Sequence, residues 1–388
     1  MKVAIDGSFS KPNSGTYRYV VELAKAFQNS LGDDDVILLT SPANDARLRE
    51  DVGHVTKLKI VEKSTSGKLG HQLRATRAWV RRESVDVLHS PGYFAPRRSP
   101  CAVVVTVHDV NFLVRIADWA RSGNLLQSAR LSAHLGGLRR VADAVVVPSF
   151  RTRRDLLRFV PSLARRTHVI RYAANSQQLP NKPFSERSPT LLSVGVIAPQ
   201  KNLESSIRAF GDVLAQLPKE ARYRIVGGDA DGYWTRVLQP LVASLGLSSS
   251  VEYVGSLSDD ELAIEYQTAR GLAFVSRGEG FGLPALESIS NGLPVIGSST
   301  TAIAEATSGC ALIVDPDDVP GIGNAIRLLL DNEDFWMLQK AQITWHQSYP
   351  RGWDDVAKDH LEVYRFALLG RQGVNMTHEV QSNTKSPD

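Results

Sequence analysis

The chain has 388 residues, 43% hydrophobic and 22% charged, which favours a cytoplasmic protein of two domains. No run of about 18 apolar residues is present, which excludes a membrane-spanning helix, and two cysteines exclude a disulfide scaffold or a four-thiolate metal site. The net charge of +4 is unevenly distributed. Residues 1–180 contain 28 Lys and Arg and 15 Asp and Glu, a net charge of +13. Residues 181–388 contain 17 Lys and Arg and 26 Asp and Glu, a net charge of −9.

Short apolar runs alternate with helical patterns along the first half of the chain. Strands are predicted at 2–5, 36–40, 58–61, 85–88, 102–107 and 144–147. An apolar stripe from Tyr17 to Phe27 predicts a helix, and further helices are predicted at 69–82 and 125–140. Strands that alternate with helices indicate a mostly parallel sheet.

The second half repeats this alternation after a polar stretch at 173–189, which we interpret as a linker. Strands are predicted at 190–194, 223–226, 251–254, 272–275 and 294–296. Helices are predicted from Leu203 to Leu217, after a capping box that starts at Ser258, and at 353–369. The polar tail 370–388 is expected to be disordered.

These patterns predict an α/β protein of two doubly wound domains, 1–172 and 190–350. We expect a cleft between the carboxyl ends of the two sheets, where ligands bind in such folds. The helix at 353–369 is expected to cross back to the first domain.

Three loops of the first domain follow predicted strands. The first contains Gly15 and Thr16 just at a helix start, where backbone N–H groups can approach an anion. It has no Gly-x-Gly-x-x-Gly fingerprint, which disfavours a nicotinamide oxidoreductase. His108 follows the strand at 102–107 and can donate a hydrogen bond to a polar ligand, although a structural histidine is an equally good interpretation. Ser149 follows the strand at 144–147 and is a weaker candidate.

In the second domain, Lys201 comes just before a predicted helix. An ammonium and a helix N-terminus then point at one place, which suits a diphosphate.

The segment 277–287, Arg-Gly-Glu-Gly-Phe-Gly-Leu-Pro-Ala-Leu-Glu, carries the strongest signal. Its glycines allow close backbone approach to a ligand, and Pro284 favours the first turn of a helix. The N–H groups of residues 281–283 can therefore bind phosphate. Glu279 and Glu287 would repel that phosphate, so we expect each to accept hydrogen bonds from neutral hydroxyls, those of a sugar and of a ribose.

With these residues the chain resembles a retaining glycosyltransferase of the GT-B fold, in glycosyltransferase family 4. The spacing from Glu279 to Glu287 matches the family's Glu-x7-Glu motif, and the run from Val194-Gly195 to Lys201-Asn202-Leu203 matches its phosphate loop. The runs at 223–228 and 253–257 match the walls of its nucleotide pocket. The resemblance is closest to bacterial mannosyl- and rhamnosyltransferases of surface-polysaccharide assembly, including lipopolysaccharide.

The resemblance implies a role for each matching residue. His108, Lys201 and Glu279 would form the catalytic group: His108 touches the donor sugar, Lys201 neutralises the leaving diphosphate and Glu279 holds sugar hydroxyls. Donor-binding positions would be Gly15, Thr16, Ser149, Gly195, Lys201, Gly228, Ser256, Leu257, Glu279, Phe281, Gly282, Leu283 and Glu287. Many members place an arginine directly after the Val-Gly pair, where this chain has Val196.

The resemblance favours GDP-mannose as donor, with UDP and dTDP sugars open, and a glycan or lipid-linked acceptor. We expect no cofactor and no metal, because no Asp-x-Asp triplet directly follows a predicted strand in a position to hold Mn²⁺ or Mg²⁺. Without an obvious nucleophile, same-face attack assisted by the leaving phosphate is favoured over double displacement.

The basic first half leaves the partner open between an anionic membrane, a phosphate-bearing acceptor and nucleic acid, beside a merely solvated arginine-rich surface. The predicted helix with Arg74, Arg77, Arg81 and Arg82 suits the inner face of a membrane. No aromatic platform typical of single-strand nucleic-acid binders is evident, and we expect no nucleic acid among the partners. Two alternatives to transfer remain: a nucleotide-sugar epimerase on the same fold, and a non-catalytic nucleic-acid- or lipid-binding protein.

Overall fold

The computed structural model describes residues 1–10, 14–30, 34–53, 58–62, 69–114, 125–174, 182–229, 231–347 and 351–372. The chain divides into two compact units. The N-terminal unit consists of Met1–Tyr172 with Arg351–Asp388, and the C-terminal unit of Ala173–Pro350.

The N-terminal unit is built on a seven-stranded sheet of order β3-β2-β1-β4-β5-β6-β7. Every pairing in it is parallel. The strands are β1 Lys2–Asp6, β2 Asp35–Thr40, β3 Leu58–Glu62, β4 Val87–Ser90, β5 Ala102–Thr106, β6 Ala144–Val147 and β7 Thr167–Val169. The central strands β1, β5 and β6 are rich in buried Val, Ala and Ile, as expected for a sheet covered on both faces.

Helices cover this sheet, and the last helix of the chain is one of them. They are α1 Gly15–Ser30, α2 Asp45–Val52, α3 Leu69–Arg82, α4 Asn111–Val114, α5 Leu125–Gly137, α6 Phe150–Phe159 and, from the chain's end, α14 Trp353–Arg371. Helix α14 packs against α1 and β5. Its buried face includes His360 and Tyr364, two polar side chains that need partners inside the unit.

The C-terminal unit holds a six-stranded sheet of order β10-β9-β8-β11-β12-β13, also parallel throughout. Its strands are β8 Thr190–Val194, β9 Arg222–Val226, β10 Val251–Gly255, β11 Gly271–Phe274, β12 Val295–Ser298 and β13 Leu312–Val314. Two hydrophobic clusters pack on the sheet, one around Ile207, Phe210 and Ile326 and one around Leu272, Ile289 and Ile303.

The helices of this unit are α7 Leu203–Val213, α8 Gln239–Ser244, α9 Asp259–Thr268, α10 Leu283–Ser290, α11 Ile303–Ala306, α12 Val319–Asp331 and α13 Glu333–Gln347. The capping box predicted at Ser258 is formed, with Glu261 bonding back to the cap residue. Among the helices described in both units, none combines the length and the apolar character needed to span a bilayer.

The two doubly wound parallel sheets confirm the predicted fold class. The strand predicted at 85–88 lies instead at Val87–Ser90, because the Val85 amide bonds to the Val80 carbonyl and closes α3. The short edge strands β7 and β13 were not predicted. Gly370 and Arg371, predicted as tail, complete α14; the rest of that tail from 373, and residues 175–181 of the predicted linker, lie outside the described residues.

Candidate functional site

Three loops at the carboxyl edge of the C-terminal sheet are tied together by backbone hydrogen bonds. The Gly195 amide donates to the Val226 carbonyl at 2.9 Å, and the Gly227 amide donates to the Gly255 carbonyl at 2.8 Å. Gly227 has a φ of +146°, and a Cβ at this position would lie 1.9 Å from the Gly195 carbonyl oxygen. Only glycine therefore fits at 227, and the ends of β8, β9 and β10 form one continuous backbone surface.

Lys201 and Glu279 meet above this surface. Lys201 Nζ lies 2.5 Å from Glu279 Oε1, and their side chains are 17% and 15% exposed. The ammonium also lies 4.9 Å from the centre of the Phe274 ring. The pair is therefore mostly enclosed but keeps some contact with solvent.

The backbone around this pair is fixed by Asn202, which is fully buried. Its Nδ2 donates to the carbonyls of Val275 and Pro316, at 3.2 and 2.7 Å. The Arg277 amide donates to the Gln200 carbonyl at 2.8 Å, which joins the loop before α7 to the loop after β11. The two loops that carry Lys201 and Glu279 are therefore held in register by these bonds.

Helix α10 begins beside Glu279. Its N-cap is Gly282, with a φ of +102° and no side chain capping the helix. Phe281 is buried beneath the turn and Leu283 is the first helical residue. An N-terminus that no side chain caps carries partial positive charge and is suited to an anion.

Glu287 lies one turn into α10 and is only 3% exposed. The Tyr266 hydroxyl donates to Glu287 Oε2 at 3.2 Å. This bond orients the carboxylate, because Tyr266 is itself buried on α9. Both carboxylates of the Glu-x7-Glu spacing therefore belong to the carboxyl edge of one unit.

A small pocket, partly open to solvent, lies at this edge. Its lining includes Ser193, Gly195, Ile197, Lys201, Phe274 and Ser276. The Ser276 hydroxyl is buried and has no hydrogen-bond partner among the described residues. A ligand that enters this pocket meets a hydroxyl and an ammonium together.

The predicted nucleotide walls lie beside these loops. Gly228 and Ser256 are neighbours, since a Cβ on Gly228 would lie 3.4 Å from the Ser256 hydroxyl. Leu257 follows and is half-buried. The rings of Trp234 and Tyr253 stack with their centroids 5.0 Å apart. The Tyr253 hydroxyl donates to the Gly227 carbonyl at 2.9 Å.

In the N-terminal unit, His108 stands two residues after β5, at the carboxyl edge of that sheet. Its Nδ1 lies 2.6 Å from the Tyr172 hydroxyl. Nε2 is buried and makes no hydrogen bond of normal geometry within the described residues. Burial lowers the pKa of His108 to about 4, partly opposed by the Pro91 carbonyl, so the imidazole is neutral at physiological pH.

The other predicted residues of this unit are at helix starts. Gly15 and Thr16 begin α1, where Ser14 Oγ accepts from the Tyr17 amide at 3.1 Å. Ser149 is fully buried as the N-cap of α6, and its hydroxyl accepts from the Thr152 amide at 2.9 Å. The Ser149 hydroxyl is thus used within the cap, and its contact with a donor stays a prediction.

Sequence reasoning missed the residues that support the predicted ones. Tyr172 stands beside the polar stretch interpreted as a linker, yet it is 5% exposed and bonded to His108. Asn202 entered the sequence analysis only as part of the phosphate-loop match, and Ser276 was not singled out. Both residues lie close in sequence to Lys201 or Glu279, which was the available signal. Their supporting role became clear only from the burial of their side chains in the structure.

Two family profiles match this chain, and together they cover most of it. Residues 13–177 match "Glycosyltransferase Family 4", and residues 175–343 match "Glycosyl transferases group 1". The second match contains the Lys201–Glu279 pair, Glu287 and the pocket, and the first contains His108.

Curated relatives and solved structures agree with these profiles. The chain is similar to O-antigen chain mannosyltransferase B of Escherichia coli, 27% identical over 69% of this chain and 74% of that protein. It is also similar to the serotype-specific mannosyltransferase WbdA of Escherichia coli, 32% identical over 52% of this chain but only 24% of the longer WbdA. The structure of Anabaena Alr3699/HepE in complex with UDP and glucose superposes with a TM-score of 0.68 at 16% identity, over 94% of this chain and 99% of that one, a likeness of fold.

Proposed function

From the premise that this chain belongs to the family 4 glycosyltransferases of GT-B fold, we propose that it transfers mannose from GDP-mannose to a hydroxyl of a glycan or lipid-linked acceptor in surface-polysaccharide synthesis. The single observation that carries the proposal is the Lys201–Glu279 pair beside the N-terminus of α10. The mannosyl assignment is supported by the E. coli relatives, whose names state that activity.

In this proposal the diphosphate is bound by the positive groups of the carboxyl edge. Lys201 and the amides of residues 281–283 stabilise the charge that develops on the leaving diphosphate as the glycosidic bond breaks. Ser276 adds a hydroxyl from the same pocket. Gly195 and Gly228 let the backbone approach the nucleotide, with Ser256 and Leu257 beside it.

The carboxylates are assigned to hydroxyls. Glu279 is held by Lys201 and accepts from the donor sugar, and Glu287, held by Tyr266, accepts from the ribose. His108 is assigned to the donor sugar as a neutral hydrogen-bonding group, in line with the lowered pKa that burial gives it. Gly15 and Thr16 are assigned to the diphosphate from the start of α1.

We further propose retention at the anomeric carbon and independence from metal. A phosphate oxygen of the leaving group takes the acceptor proton during same-face attack, so no protein nucleophile is required. The cationic and amide groups carry the stabilisation that a metal supplies in other sites. The basic surface of α3, where Arg74, Arg77, Arg81 and Arg82 are exposed, is proposed to rest on anionic headgroups at the inner face of a membrane.

The test is an assay of the full chain with GDP-mannose and a lipid-linked glycan, with EDTA in one arm. We expect an α-linked product by NMR, unchanged by EDTA. Loss of the donor without an acceptor would instead indicate the epimerase. A thermal-shift panel of GDP, UDP, dTDP and ADP identifies the base, since a ligand at about one hundred times its Kd stabilises by roughly 2.7 kcal/mol. Stabilisation by none of the four would contradict the proposal.

A further inference from the structure

The interior of the N-terminal unit contains a chain of neutral hydrogen bonds that joins α1, β4, β5 and α14. His360 Nδ1 donates to the Val356 carbonyl at 2.7 Å, so its Nε2 must accept from the Tyr19 hydroxyl at 2.6 Å. Tyr19 in turn accepts from Thr106, at 3.1 Å. The direction of each bond is fixed by the one before it.

The same chain continues to β4. Thr106, having donated to Tyr19, accepts from His89 Nε2 at 2.8 Å, and His89 Nδ1 accepts from the Tyr364 hydroxyl at 2.7 Å. Burial lowers the pKa of His89 well below its ordinary value and that of His360 to about 4, so both stay neutral. This chain is structural, because its members bond to one another and to the backbone.

His108 stands outside that chain and has a different partner. Its ring meets Tyr19 edge-on, with centroids 5.0 Å apart. Its Nδ1 bonds to Tyr172, and the Pro91 carbonyl also acts on the ring and raises its pKa. The Tyr172 ring is itself held on two sides, 5.0 Å from Tyr19 and stacked at 6.0 Å on Trp353 of α14. The packed ring of Tyr172 has little freedom to move and therefore holds its hydroxyl next to His108.

We propose that Tyr172 is a positioning residue for the transfer reaction: its hydroxyl donates to His108 Nδ1 and thereby fixes the proton on Nε2, the nitrogen that would meet the donor sugar. A phenol is the better donor and an imidazole nitrogen the better acceptor, so this direction of the bond is favoured over the reverse. An Nε2 that carries the proton donates to a sugar hydroxyl oxygen, whereas the other tautomer cannot. The inference rests on the role proposed above for His108.

The experiment compares two deletions of one phenolic hydroxyl. Tyr172→Phe removes the bond to His108 and keeps the ring, and Tyr364→Phe removes the bond to His89 in the structural chain. With GDP-mannose and a lipid-linked acceptor, we expect Tyr172→Phe to lower kcat about tenfold, the factor that one neutral hydrogen bond can supply. KM for GDP-mannose and the affinity for GDP should stay unchanged, and Tyr364→Phe should lower only Tm.

A spectroscopic readout separates positioning from stability. The ¹⁵N spectrum of the histidine rings, with the His108 signal assigned by its loss in His108→Ala, should show the Nε2-protonated tautomer in the wild type and a mixture in Tyr172→Phe. Equal kinetics for the two Phe variants, or an unchanged His108 signal in Tyr172→Phe, would overturn the inference. Absence of transfer by the wild type would instead refute the proposed function, and the ¹⁵N comparison would still test the bond.

Discussion

The two edges of the C-terminal sheet both hold enclosed cations, but they use them differently. At the carboxyl edge, Lys201 pairs with the carboxylate of Glu279 and keeps 17% of its side chain exposed. At the amino edge, Arg187 lies three residues before β8 and is 2% exposed. Its guanidinium donates to the carbonyls of Lys182, Tyr266 and Ala269.

Two further cations complete the amino edge. Arg270 donates to the Leu330 carbonyl at 2.7 Å, and Lys340 donates to the Gly292 carbonyl at 3.1 Å. The carbonyls of Tyr266, Ala269 and Leu330 lie in the last turns of α9 and α12 or directly after them, where helix dipoles concentrate negative charge. Gly292 lies two residues after α10. Burial lowers the pKa of Arg187 to about 10 and that of Lys340 to about 8.

The two edges both hold positive charges and differ in the groups to which those charges are bonded. The carbonyls of packed helix ends are fixed in position, so the amino-edge cations stay bonded to them in the folded protein. Lys201 is paired instead with a carboxylate beside glycine loops and the N-terminus of α10, and we propose that it binds a phosphate as well. The predictions below test this division, beginning with the largest expected effect.

Lys201→Met should lower kcat for transfer about 10³-fold, the loss typical of removing one group that stabilises developing negative charge. Met keeps the packing of the side chain over Phe274, so the free energy of unfolding should change little. Lys340→Met is the matched control at the amino edge and should leave kcat unchanged. Steady-state kinetics with GDP-mannose decide the matter; similar rates for the two variants would erase the distinction between the edges.

Arg187→Met should show the opposite pattern. It leaves three carbonyls without their donor in a buried region, and we expect the free energy of unfolding to fall by about 3 kcal/mol. Urea denaturation measures this change, and kinetics at a temperature where the variant is folded should give wild-type kcat. A stable variant with impaired transfer would show that the amino edge takes part in function.

Gly227→Ala tests the loops after β8, β9 and β10, which backbone hydrogen bonds join. Its Cβ would collide with the Gly195 carbonyl oxygen, and the backbone would also be strained at positive φ, together about 2 kcal/mol. We expect GDP to bind about tenfold more weakly by calorimetry, since tenfold corresponds to about 1.4 kcal/mol. Gly246→Ala has the same kind of φ, +68°, with nothing within 4 Å of its Cβ, and should bind GDP as the wild type does.

The smallest effect concerns pH. The pKa of Lys340 is lowered from 10.5 to about 8, first by burial and then by Arg187. Between about pH 8 and 10.5 the unfolded chain binds this proton and the folded chain does not, so stability rises with pH across that window. The side chain is partly solvated, so the gain is about 0.5–1 kcal/mol. Urea titrations at several pH values should show this rise for the wild type and not for Lys340→Met.

The sequence predicted the carboxyl edge better than the amino edge for a physical reason. Phosphate-binding loops need glycines, a helix-starting proline and charged residues at fixed spacing, and segment 277–287 displays all of these locally. Arg187, by contrast, is recognisable only once α9 and α13 pack around it. Strands β7 and β13 have three residues each, too few for periodicity to reveal them.

Tyr172 shows the same limit in the N-terminal unit. It stands beside a polar stretch, and its proposed role depends on rings from α1 and α14 that are distant in sequence. His108 could be chosen as a candidate from its place after a strand, but the identity of its hydrogen-bond partner could not be predicted.

The most direct test of the account is a crystal structure of the chain with GDP. We predict the diphosphate within about 3 Å of Lys201 Nζ and of the amides of residues 281–283, with Glu287 at the ribose hydroxyls. A diphosphate bound away from the start of α10, with Lys201 still paired only with Glu279, would contradict it.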